Sequence, residues 1–133
     1  MLVVIFLIGI MAAVAVPGIH RIRLEWELWG GAHLLENSLF WARTHAITSN
    51  DSLILCVEEE GRVFYWTDPD GSRFDLSLRR LPPGVRIVQS PSRQLRFYQH
   101  GNAAPAGSFV IQGNAGSYRV VVSILGRIRL QRE

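Results

Sequence analysis

Three arginines crowd the end of this chain, in "GRIRLQRE", and their spacing suits one kind of chemistry. In a β-strand residues two apart share a face, so Arg127 and Arg129 point together while Ile128 and Leu130 point into a core. Arg132 falls just past such a strand as a third contact. Guanidinium forks fit phosphate oxygens. Arg127, Arg129, Arg132 and the upstream Arg119 therefore form a candidate contact for an anionic partner, next to Gly126. The alternative is structural: the glycine permits the turn, and the arginines pair with acids such as Glu58 or Asp75. Both readings stay open at this point.

Other reactive residue types lack company. His20, His33, His45 and His100 show no metal-ligand spacing, and none has a nucleophile beside it. Cys56 is the one cysteine, which excludes an intrachain disulfide and a cysteine-rich metal site. In the apolar run "SLILCV" it reads as a buried core thiol, because free cysteine packs as a small hydrophobe. Asp68 and Asp70 in "DPDG" fall far short of the roughly six to eight oxygens calcium takes, so that stretch reads as a turn. No phosphate-cradling glycine loop or catalytic signature appears. The expectation is a protein that is not an enzyme and carries neither cofactor nor metal.

Charge is divided along the chain. All 14 basic residues are arginine, and the net charge is +3. Residues 20–78 hold five arginines against ten acids, whereas residues 79–133 hold nine arginines and a single acid, Glu133. Such asymmetry points to an acidic or polyanionic partner, or to nothing more than a solvated arginine-rich sheet.

The elements that must position these arginines follow from periodicity. Residues 1–19 are uncharged and almost wholly apolar. The run is slightly short of the roughly 20 residues of a membrane span, and nothing but Met1 precedes Leu2 as the charged lead of a secretory signal. From Ile19 to about Thr48 apolar residues recur three and four apart, as in Ile22, Trp26 and Trp29, then Leu35, Leu39, Ala42 and Ala46. That predicts one helix, greasy all round at first and one-sided later, with a bend at Gly30 and Gly31. After "TSND" the period becomes two. "SLILCV", "RVFYW", "VRIVQ", "QLRFYQ", "SFVIQ", "YRVVVS" and "GRIRL" read as short strands separated by "EEEG", "DPDGS", "LPPG", "GNAGS" and similar turns. The pattern predicts an antiparallel sheet or small sandwich.

The opening run now has an explanation. "LVVIFLIGIMAAVAVP" resembles the N-terminal segment shared by type IV pilins and type II secretion pseudopilins, in which a helix-softening glycine and a proline stand eight residues apart, as Gly9 and Pro17 do here. The resemblance implies a prepilin that is cleaved and methylated. It also implies a leader, a cleavage site ending in Gly then Phe, and a glutamate ahead of Met1. "FYQHGNAAPAGSFVIQGNAGSYRVVVSILGRIRL" is similar to the C-terminal half of the GspH/FimT family of minor pilins and pseudopilins. The matching features are Phe97, Gly101, the strand at Phe109, Arg119, and Gly126-Arg127-Ile128-Arg129. "VFYW" and "LPPGV" fit the middle of that family.

The resemblance implies an α+β fold, a long N-terminal membrane and assembly helix followed by an antiparallel β-sheet head. Residues 1–19 would be the transmembrane and filament-core half of the helix, 20–48 the amphipathic half packing on the head, and 49–133 the periplasmic head. Val4, Phe6, Gly9, Ala13 and Pro17 would line the membrane and assembly helix. The implied role is that of an H-type minor pseudopilin that helps initiate or cap a type II secretion pseudopilus. The alternative is a FimT-like minor type IV pilin that aids pilus assembly and binds DNA during natural transformation. Implied partners are other pilin or pseudopilin subunits and the inner-membrane assembly platform. The implied location is the inner membrane with a single pass, and then the filament.

Overall fold

A computed structural model of the chain describes residues 1–71 and 78–133. It opens with one helix, α1 (Leu2–Ser49), which runs through Pro17 and through Gly30 and Gly31 without a break. The helix is continuous across the two glycines, and Gly31 is held there by packing. A Cβ there would lie 2.8 Å from Val85 Cγ1, so the absent side chain admits the loop 81–85 against the helix. Asn50, in the left-handed conformation, ends α1 by donating its N–H to the Ala46 carbonyl.

Leu28, Ala32, Leu35, Leu39, Ala42 and Ala46 form the buried stripe of α1, at steps of four and three. Leu35, Leu39, Ala42 and Ala46 are the residues expected there. Ile22, Trp26 and Trp29 are not part of it: they are 54%, 64% and 46% exposed. They share the three–four spacing but lie on a different face, because at about 100° per residue Trp26 points roughly opposite to Leu28 and Leu35. The helix thus carries two apolar stripes, and the head covers only one.

The described residues hold two antiparallel sheets. The first has the order β3 (Arg79–Arg80), β2 (Val63–Thr67), β1 (Leu53–Glu58), β5 (Arg96–Phe97) and β6 (Ala103–Ala104). The second has the order β4 (Arg86–Gln89), β7 (Gly107–Gly113), β8 (Gly116–Val122) and β9 (Ile128–Arg132). The two-residue strands β3 and β6 carry no period that a sequence pattern could register. The helix packs on β7, β8 and β9 and reaches β1 and β5. Between helix and sheets lie Phe64, Trp66, Phe97, Phe109, Ile111 and Val120, all nearly inaccessible to solvent. Trp66 Nε1 donates to Ser38 Oγ at 2.7 Å, which satisfies the one polar atom of the largest core side chain and ties β2 to α1.

Cys56 departs from expectation. Alternation along β1 turns Leu53 and Leu55 inward and leaves Cys56 half-buried on the opposite face, where Gln94 Nε2 approaches its sulfur at 3.6 Å. The "EEEG" turn is a tight 3₁₀ turn, Glu59–Gly61, with Glu59, Glu60 and Gly61 all at positive φ. A Cβ on Gly61 would lie 2.0 Å from the Ile87 carbonyl oxygen. The turn therefore lies directly on β4 and joins the two sheets.

Candidate functional site

Two surfaces carry the residues singled out by the sequence. The first is the free half of α1. Its 18-residue apolar window is long and apolar enough to cross a membrane, and none of that window is buried. Val4 and Phe6 are exposed, and nothing outside the helix lies within 4 Å of a Cβ placed on Gly9. Phe6, Gly9, Ala13 and Pro17 fall on one side of the helix and Val4 on the other. Gly9 and Ala13, four apart, leave a shallow strip where a second helix can approach closely. Pro17 has no N–H, so the Ala13 carbonyl loses its helical partner and the helix softens there.

The second surface is the arginine-bearing end of the four-stranded sheet. β8 and β9 pair in the register Val120↔Leu130, Val121↔Arg129 and Val122↔Ile128. Val120 and Val122 are buried, so Ile128 and Leu130 lie on the core side, and both are partly buried against the core rather than fully enclosed. Arg127 and Arg129 are exposed on the outer side, and neither has an ion pair among the described residues. Glu58, one acid expected to hold them, instead accepts the Tyr65 hydroxyl at 2.6 Å. This bond is the main reason the Tyr65 phenol is pushed up to about 12. Asp75, the other expected acid, lies outside the described residues.

The remaining arginines part company with this pair. Arg119 is on the outer face but is held by Glu133, with Nε donating to Oε1 at 2.6 Å. Arg132 is not past the strand: it is the last residue of β9, opposite Tyr118. Being two residues on from Leu130, it shares the core-side parity and turns toward the helix, its guanidinium 5.8 Å from the centre of the Tyr118 ring. The four arginines therefore do not form one strip. Arg127 and Arg129 remain together, Arg119 is neutralised, and Arg132 belongs to the opposite side.

Gly126 has a structural task. Its φ is +84, and a Cβ there would lie 1.9 Å from the Gly101 carbonyl oxygen and 2.8 Å from Arg43 Nε. Arg43 Nε donates to that same carbonyl at 3.0 Å. The turn closes through Gly126 N–H to the Ser123 carbonyl at 2.9 Å and Arg127 N–H to Ser123 Oγ at 3.1 Å. A left-handed residue in contact with backbone admits only glycine.

A helix that leaves half its length bare and packs the other half on an antiparallel head is the architecture of a pilin-like subunit. The family model for Type II transport protein GspH matches residues 31–126. The chain belongs to the GspH family of minor pseudopilins and pilins. Among solved structures it is similar to the minor pseudopilin EpsH from the Type 2 Secretion System of Vibrio cholerae, at 17% identity and a TM-score of 0.64, covering 80% of this chain and 97% of that one. It is also similar to the type IV minor pilin FimU of Pseudomonas aeruginosa, at 21% identity and a TM-score of 0.69, covering 80% of this chain and 90% of the other. No curated protein sequence matches significantly.

Proposed function

We propose that this chain is an H-type minor pseudopilin of a type II secretion system, held in the inner membrane by residues 1–19 with a periplasmic head, that helps initiate or cap the pseudopilus. The observation that carries this reading is the bare apolar half of α1, which has no cover from its own head. A membrane-resident subunit needs such a helix, and so does a filament subunit. On extraction, neighbouring helices replace lipid around it, and apolar burial is largely conserved. The strip of Gly9 and Ala13 and the softened turn at Pro17 suit that exchange. Residues 20–48 carry the head, and residues 49–133, the head itself, meet other subunits and the assembly platform. No step in this role calls for catalysis, cofactor or metal.

The test is genetic and chemical together. Deleting the gene should abolish export of the secretion system's substrates. A cysteine at Ala13, in a Cys56→Ser background, should form disulfides with a cysteine placed in the helix of another pseudopilin. Intact export, with no such cross-link in membranes, would count against the reading.

The exposed Arg127 and Arg129, without ion pairs among the described residues, favour a second reading. As a FimT-like minor type IV pilin, the chain would contact DNA through these two residues. Arg119 is already committed to Glu133, and Arg132 turns the other way. Loss of transformation with export unaffected would select this alternative.

A further inference from the structure

The apolar run ends at Ile19, and the first residue of the helix enclosed by the head is Leu28. The β7–β8 turn, Asn114 and Ala115, follows Gly113, which packs on Leu28, and it overhangs the helix on the side of Pro17 and Arg21. Between them lies an open notch of about 510 Å³, into which Arg21, Glu25 and Arg132 also face. A span that ends at the first charges, His20 and Arg21, therefore places the Pro17–Arg21 rim of this notch at the boundary between the hydrocarbon and the headgroup layer, which is about 5–7 Å deep.

The chemistry around the notch suits that layer. Arg21 from the helix and Arg132 from β9 line the notch together with one acid, Glu25, and with His20. Arg23 does not line the notch and pairs instead with Glu27 at 3.2 Å. Beside the notch, Trp26, Trp29 and Tyr118 line a second hollow that shares Glu25 and Arg132. The rings of Trp26 and Trp29 meet edge-on, 5.5 Å apart. Side chains on a helix lean toward its N-terminus, so both indoles tilt back toward the membrane.

We propose that the notch receives the phosphate of an anionic phospholipid in the leaflet on the side of the head, gripped by Arg21 and Arg132. The head then sits close above the bilayer surface. This rests on reading residues 1–19 as a membrane span. Arg132 gives the proposal its edge. Arg21 follows the span directly and would attract anionic lipid in any orientation of the head, whereas Arg132 meets lipid only if the head is seated.

The experiment uses the full chain reconstituted in phosphatidylcholine vesicles containing spin-labelled phosphatidylglycerol or spin-labelled phosphatidylcholine. Motionally restricted lipid is measured for each label. Phosphatidylglycerol should be preferred, by roughly fivefold for each guanidinium engaged at the surface. Arg132→Gln should remove the share owed to the head, Arg132→Lys should restore part of it, and Arg23→Gln should leave it unchanged. Equal association of both lipids with the native chain would overturn the proposal. So would a preference that survives Arg132→Gln and disappears only with Arg21→Gln, which would reduce it to ordinary flanking charge. Displacement by excess inorganic phosphate at constant ionic strength would assign the notch to free phosphate instead. A chain that fails to remain with the vesicles would overturn the span, a result distinct from a seated chain without lipid preference.

Discussion

Gly126 packs on the carbonyl oxygen of Gly101 so closely that a Cβ would stand 1.9 Å away. The same carbonyl accepts Arg43 Nε at 3.0 Å. The glycine of the Gly-Arg-x-Arg run is thus the point where the β8–β9 turn, the loop at Gly101 and the helix meet. Gly126→Ala should destabilise the head by about 2–4 kcal/mol, since it combines a strained φ with overpacking against backbone. Thermal melting of the native and variant chains checks this. Failure of that variant to bind any partner would report on the fold and not on a binding surface.

Gly30 and Gly31 stand side by side and should behave oppositely. A Cβ on Gly30 meets nothing within 4 Å, whereas one on Gly31 meets Val85 Cγ1 at 2.8 Å. Gly30→Ala should stabilise the helix by up to about 1 kcal/mol. Gly31→Ala should lower the melting temperature, unless Val85→Ala is added to make room. Equal effects at the two positions would show that helix propensity alone governs this region.

The same glycine pair marks a limit of what is legible in the sequence. Period-two runs locate β1, β2, β4, β7, β8 and β9, because each has one face in the core. Gly30 and Gly31 read as a weak point of the helix, since propensity is local, whereas the Val85 contact that explains Gly31 is not. The tryptophans mislead for a related reason: spacing identifies an apolar stripe but not what covers it. Ile22, Trp26 and Trp29 face away from Leu28 and Leu35. For the arginines, parity places Arg127 and Arg129 correctly on one side. Arg132 falls elsewhere than expected because β9 runs on to include it, and the strand's period carries it to the helix side.

Tyr65 offers a test of the β1–β2 edge. Its phenol donates to Glu58 Oε1 at 2.6 Å, and its pKa is raised from 10.0 to about 12. The neutral phenol is the form that is favoured. The stabilisation is therefore fully present below pH 10 and is lost as the pH rises from there through about 12. Phenolate absorbance should show one tyrosine ionising near pH 12, and Glu58→Ala should bring that step down toward 10. An unchanged titration would mean the bond is absent in solution.

Arg127 and Arg129 separate the two functional readings. Both are exposed and free of ion pairs among the described residues, so replacing both with glutamine should cost less than about 0.5 kcal/mol. If they bind DNA, duplex affinity should weaken alike for all sequences, and the salt slope should shrink by roughly 1 for each phosphate no longer neutralised. Gel-shift titrations at two salt concentrations decide this. A native chain with no salt-sensitive binding leaves the secretion reading in place.

The central claim is that the bare half of α1 anchors a head that folds without it. The buried stripe begins at Leu28, and residues 2–19 touch no part of the core. The direct measurement is membrane fractionation with alkaline extraction, applied to the full chain and to a chain beginning at Arg23. The full chain should stay with the membrane and need detergent to leave it, while the shorter chain should be soluble and melt cooperatively. A full chain recovered as a soluble monomer without detergent would contradict the anchor, and a shorter chain that fails to melt cooperatively would contradict the independence of the head.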